Sequence, residues 1–151
     1  MRKLLTGIAI LTMLASTSYA DPRPDEVKVS KFIHSRLMAA FPDAENVTWD
    51  KVGEYYMARF TNSIGNIMAY LDEDGGVYKV SRYIDSKSLP LTVQRSLNER
   101  YDLKDKELKV LEVTRNHSQT YYLISFEHQN RKYIVESDLT GNLSVIKKAK
   151  V

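Results

Sequence analysis

The chain reads as an α+β protein, two tandem helix-plus-four-strand repeats forming one antiparallel sheet with the helices packed on one face as a second layer. The first observation behind this is internal similarity. Glu54-Tyr55-Tyr56-Met57-Ala58-Arg59-Phe60 aligns with Thr120-Tyr121-Tyr122-Leu123-Ile124-Ser125-Phe126, and at the same offset Asp72 meets Asp138, Gly75 meets Gly141, Val77 meets Leu143 and Val80 meets Ile146. The second is a helical stripe ahead of each aligned segment, with apolar residues three and four positions apart. The third is period-two alternation between turn residues through the rest of the chain.

The first helix is predicted over Glu26 to Ala40, with Val29, Phe32, Ile33, Leu37, Ala40 and Phe41 on one face and the stem of Arg36 packing beside them. Phe41-Pro42 ends it, because the residue before proline is pushed out of the α region. Val47-Thr48-Trp49 is a short strand closed by Lys51-Val52-Gly53, and the shared face of Val47 and Trp49 makes Trp49 a core residue. Tyr55 to Thr61 and Asn66 to Leu71 form a hairpin across Asn62-Ser63-Ile64-Gly65. Asp72 to Gly76 turns the chain into a strand from Val77 to Tyr83.

A short polar break near Asp85-Ser86-Lys87-Ser88 separates the halves. Ser88-Leu89-Pro90 then opens a helix with proline in its first turn, and Val93, Leu97 and Tyr101 repeat at helical spacing. Four strands follow, at about Glu107 to Arg115, Tyr121 to His128, Lys132 to Glu136 and Leu143 to Lys147. The repeats thus span about 26–84 and 85–151 of a single domain, 21–151.

Residues 1–20 carry the marks of an export signal: Arg2 and Lys3, an apolar run from Leu4 to Leu14, and a small-x-small site at Ser18-Tyr19-Ala20. The run is shorter than the roughly 20 residues a bilayer span needs. Cysteine is absent, which excludes a lipidated-cysteine anchor, a thiolate metal site, a disulfide framework and a cysteine nucleophile. A small exported domain without disulfides fits a bacterial periplasm or outer surface. Removing Arg2 and Lys3 from a formal charge of +3 leaves +1, without the electrostatic footprint of a nucleic-acid binder.

The alternation assigns sheet faces. Tyr56, Ala58 and Phe60 share a face with Ile67, Ala69 and Leu71; their counterparts are Tyr122, Ile124 and Phe126, then Tyr133 and Val135. This more apolar set belongs under the helices. The opposite face holds Arg59, Asp72, Ser125 and Glu136, as a water-facing sheet should. It also holds Tyr55, Met57, Met68, Tyr70, Tyr121, Leu123 and Ile134. Two readings stand for that surplus: ordinary cross-strand pairing, or a protein-binding face built from Tyr55, Met57, Arg59, Met68, Tyr70, Tyr121, Leu123 and Ile134.

Phe41-Pro42-Asp43-Ala44, Val47-Thr48-Trp49, the strand from Tyr55 to Phe60 and the turn from Asp72 to Gly75 resemble the PepSY-like domains of exported Bacteroidota proteins. These are grouped by architecture with the β-lactamase inhibitory protein. In the second half Tyr101-Asp102 replaces the Phe-Pro step and no tryptophan occurs, so that copy diverges. The resemblance implies no catalytic machinery. It implies a curved sheet whose open, aromatic-rich face clasps another protein, in some relatives to restrain an enzyme.

Other motifs point elsewhere than catalysis. Asp72-Glu73-Asp74-Gly75 lacks the further oxygen positions of an EF-hand and reads as a turn. His34, His117 and His128 show no metal spacing, and no nucleophile elbow, Ser-x-x-Lys pair or phosphate loop occurs. No catalytic residue, metal or cofactor is therefore assigned. The expectation is an exported, non-enzymatic binding module whose partner is another protein. The alternative is a periplasmic carrier of a small apolar ligand; a third is a hydrolase with a site assembled from distant residues.

Overall fold

A computed structural model describes residues 27–103, 106–116 and 118–151. Residues 1–20, expected to be an export signal, and Glu26 lie outside the described residues, as does His117. The elements are α1 (Lys31–Ala40), β1 (Glu45–Val52), β2 (Tyr55–Asn62), β3 (Gly65–Leu71), β4 (Val77–Ile84), α2 (Leu91–Tyr101), β5 (Lys109–Arg115), β6 (Gln119–His128), β7 (Arg131–Asp138) and β8 (Leu143–Lys150). All eight strands form one antiparallel meander in sequence order.

This corrects the expected fold class. The described residues do not make an α+β pair of tandem helix-plus-four-strand repeats; they make one continuous, mostly β sheet with two short helices. The overturning feature is the predominance of strand, eight in one meander against helices of 10 and 11 residues; the expected single sheet is present and crosses the expected boundary. β4 pairs with β5 from Lys79↔Arg115 to Ile84↔Val110, so the ladder runs through it without a gap. Separate halves would each leave an unpaired strand edge there, and pairing satisfies those backbone groups.

Local chemistry explains the boundaries. α1 starts later than expected because the Ser30 side chain accepts a hydrogen bond from the Ile33 N–H, capping the helix. Val27 instead runs beside β1, its N–H donating to the Trp49 carbonyl. Phe32 therefore falls in the first helical turn and is exposed, as is Ala40; neither joins the core as the stripe predicted. The Phe41 N–H closes on the Leu37 carbonyl at 2.8 Å, and Pro42 follows. Pro90 lies just before α2 rather than within its first turn. Between β4 and α2, Ser86–Ser88 forms a 3-10 turn in which Asp85 accepts from the Lys87 N–H.

β1 is longer than Val47 to Trp49 because an irregularity between Glu45 and Thr48, with Asn46 at φ +55°, lets pairing resume on both sides. Two turns fix the helices. Asp72 Oδ1 accepts from the Asp74 and Gly76 N–H groups, and Asp138 Oδ1 accepts from those of Thr140 and Asn142. Hydrogen bonds from Thr140 and Asn142 hold the Asp138 carboxyl well below the usual carboxylate range. Gly75 (φ +73°) presses against the stem of Arg36 on α1, and a Cβ at Gly141 (φ +89°) would meet the Thr92 carbonyl of α2 at 2.8 Å. Glycine lets each turn touch its helix.

Two apolar clusters fill the helix-covered face. Ile33 and Leu37 of α1 pack with Trp49, Ala58, Phe60, Ile67, Ala69 and Leu71. Val93, Leu97 and Tyr101 of α2 pack with Val110, Tyr122, Ile124, Phe126, Tyr133 and Val135. The strand positions under both helices are those the alternation predicted. Between the clusters, Arg82 of β4 pairs with Glu112 of β5 at 2.7 Å. Trp49 is 6% exposed, so Trp49→Ala should destabilise the fold by about 3–5 kcal/mol. Thermal or urea denaturation checks this, and an unchanged midpoint would contradict the core role.

Candidate functional site

Register on the helix-free face puts the expected residues into rows that cross the strands. Arg59, Met68, Ser81, Val113 and Tyr121 follow one another from β2 to β6. The adjacent row runs Met57, Tyr70, Lys79, Arg115 and Gln119. Leu123 lies between Leu111 and Glu136 in a third row. Ile134 stands apart, opposite Ser125 and Lys147. None of the eight expected residues belongs to either core cluster. Arg59 is exposed and the other seven are half-buried.

Several neighbours escaped the sequence reading. Tyr78 should share the helix side with Val80 by alternation. An irregularity between β3 and β4 pairs Tyr70 with Lys79 but Leu71 with Val77, leaving Tyr78 as the extra residue. Its ring stacks on Tyr55 with centroids 4.8 Å apart and planes 15° apart. The Gly75-Gly76 step just before was the available signal, since glycine marks bulges. Tyr83, 69% exposed, and Leu111 extend the face through plain alternation in β4 and β5. Ser81 and Val113 are 3% and 2% exposed although no helix covers them, flanked in their row by Met68 and Tyr121.

Cations lie on the rings. Lys79 Nζ stands 3.7 Å from the Tyr70 ring centroid, and Arg115 Cζ stands 4.8 Å from that of Tyr121. Burial pushes Lys79 below the usual lysine range, and Arg115 adds to the effect. Burial pushes the Tyr121 hydroxyl up, with Arg115 opposing and Glu136 reinforcing the rise. Arg59 is committed within the sheet, paired with Asp50 on β1.

Two hollows bordering this face are open and lined by charge. One of about 440 Å³ is lined by Lys106, Glu107, Lys109, Glu127 and Lys132 beside Ser125 and Phe126. Another, of about 350 Å³, lies against Glu54, Tyr55, Asp72, Glu73 and Asp74. Among the described residues, no helix is long and apolar enough to cross a membrane.

No family model matches the chain, and no curated protein sequence matches it. Solved structures do. A DUF2874-family protein from Bacteroides uniformis superposes with a TM-score of 0.70 at 17% identity, over 82% of this chain and 91% of that one. A proposed periplasmic protein from Bacteroides eggerthii gives 0.71 at 16%, over 83% and 91%. A BLIP-like protein from Bacteroides fragilis gives 0.68 at 18%, over 84% and 89%. The chain shares the fold of these BLIP-like and DUF2874 proteins.

The face also has a structural role that can be measured. A double-mutant cycle of Tyr55→Leu and Tyr78→Leu should return a coupling of about 0.5–1.5 kcal/mol in denaturation experiments. Zero coupling would mean that the stack does not form.

Proposed function

We propose that this chain is an exported, non-enzymatic, cofactor-free binding module that presents its helix-free sheet face to another envelope or secreted protein, as inhibitor or escort. The observation that carries the reading is the band of half-buried tyrosine, methionine and leucine side chains on a face that neither helix covers. Aromatic and methionine side chains give large contact area at interfaces, with polar or adaptable ends. The BLIP-like fold of a solved neighbour supports a binding role, and the periplasmic description of another supports an envelope location. In this proposal residues 1–20 are a cleaved signal and 21–151 form a single PepSY-like domain, a relationship supported by Phe41-Pro42-Asp43-Ala44, Val47-Thr48-Trp49 and the Asp72 turn.

The mechanism is steric occlusion driven by burial of the central rows, with the partner contacting Met57, Met68, Tyr70 and Tyr121 and then Leu123. Arg59 contributes less than its charge suggests, because it is exposed and already paired with Asp50. Ile134 lies at the margin of the contact.

Crosslinking capture from the native envelope tests the face. The double variant Tyr55→Ala, Tyr121→Ala should keep a folded circular dichroism spectrum and lose the partner that the parent protein captures. Equal capture by the folded double variant would remove this face as the binding surface.

A further inference from the structure

Lys79 and Arg115 are directly opposite one another on β4 and β5, the two central strands, on the helix-free face beside the turn into β6. Like charges directly opposite across a strand pair destabilise a sheet. Such an arrangement calls for a counter-charge, and among the described residues neither cation forms an ion pair. Three carboxylates on this face are engaged elsewhere. Asp50 holds Arg59; Asp138, opposite Tyr121, is bound by Thr140 and Asn142; Asp72 accepts the N–H groups of its own turn. Glu136 lies two rows from the pair, opposite Leu123.

Each cation also lies over a tyrosine ring, Lys79 on Tyr70 and Arg115 on Tyr121. Ring contacts hold the two groups in place without neutralising them. The outcome is two fixed positive charges amid aromatic surface. A carboxylate carried by an apolar segment would meet both features at once: a charge-assisted hydrogen bond to the guanidinium and ring contact beside it.

Resting on the reading of this face as the binding surface, we propose that Lys79 and Arg115 form an anion subsite that takes a glutamate or aspartate side chain of the partner protein, with Tyr70 and Tyr121 receiving its apolar neighbours. The charge pair then sets which partner segment is accepted, while the tyrosines supply contact area. Partner-free protein carries the repulsion; bound protein has it cancelled.

The test uses two capped tripeptides, one with two glutamates flanking a phenylalanine and the same sequence with glutamines, titrated into labelled protein and followed by NMR. The glutamate peptide should shift the signals of Lys79, Arg115 and Tyr121 and bind about tenfold tighter than its glutamine twin. Its advantage should shrink as salt rises past about 0.1 M, where screening reaches about 10 Å. Lys79→Met with Arg115→Met should erase the difference while leaving the circular dichroism spectrum intact. Equal binding of both peptides to this face would overturn the anion subsite and leave the binding-face reading standing; shifts confined to other surfaces, or none, would overturn both. Inorganic phosphate that shifts the same signals and displaces the glutamate peptide at equal concentration would assign the pair to a small free anion, overturning the protein carboxylate.

Discussion

An unbroken backbone ladder through eight strands is the constraint on which everything else depends. Each strand pairs with the next from β1 to β8, so the side-chain period of two is locked across the whole sheet. A slip of one residue in any strand would move its apolar set from the helix side to the other. Burial under α1 and α2 opposes such a slip, because Ala58, Ala69, Ile124 and Val135 are wholly enclosed there. The ladder and the one-sided cover therefore define each other, and together they leave a second face that no element of the described chain protects.

The two apolar clusters do not merge. Arg82 and Glu112 lie between them on the helix side, paired across β4 and β5, and Thr114 and Thr120 share a hydrogen bond nearby. Polar groups at that position separate the clusters while the backbone ladder continues underneath. On the opposite side of the same two strands the pattern inverts: Ser81 and Val113 are buried, and Lys79 and Arg115 lie beside them. Strands β4 and β5 thus join the sheet and also carry the middle of the proposed contact surface.

Much of this was legible from residue order. Alternation in β2, β3, β6 and β7 placed Tyr56, Ala58, Phe60, Tyr122, Ile124 and Phe126 on the buried side, because a half-covered strand must separate its faces. The same alternation placed Tyr55, Met57, Tyr70 and Tyr121 opposite. Three things were not legible. The extra residue at Tyr78 and the irregularity near Asn46 break the period, and pattern reading assumes that the period holds. Helix onset at Lys31 depends on the Ser30 cap, which strands Phe32 on the surface. The opposition of Lys79 and Arg115 depends on register between strands far apart in sequence, and no local motif encodes it. The fold class differs for a related reason: internal similarity suggested an α+β pair of helix-plus-four-strand repeats sharing one sheet, whereas eight consecutive strands and two short helices make a mostly β meander.

Hydroxyl-radical footprinting of the folded chain, read tyrosine by tyrosine, tests the two-sided sheet most directly, since it compares like side chains on opposite faces. The account predicts modification rates falling from Tyr83 to Tyr70 and Tyr121, with Tyr101 and Tyr133, each under 10% exposed, close to unreactive. Tyr70 and Tyr121 as protected as Tyr101 and Tyr133 in monomeric protein would contradict it, because that face would then be covered by the chain itself.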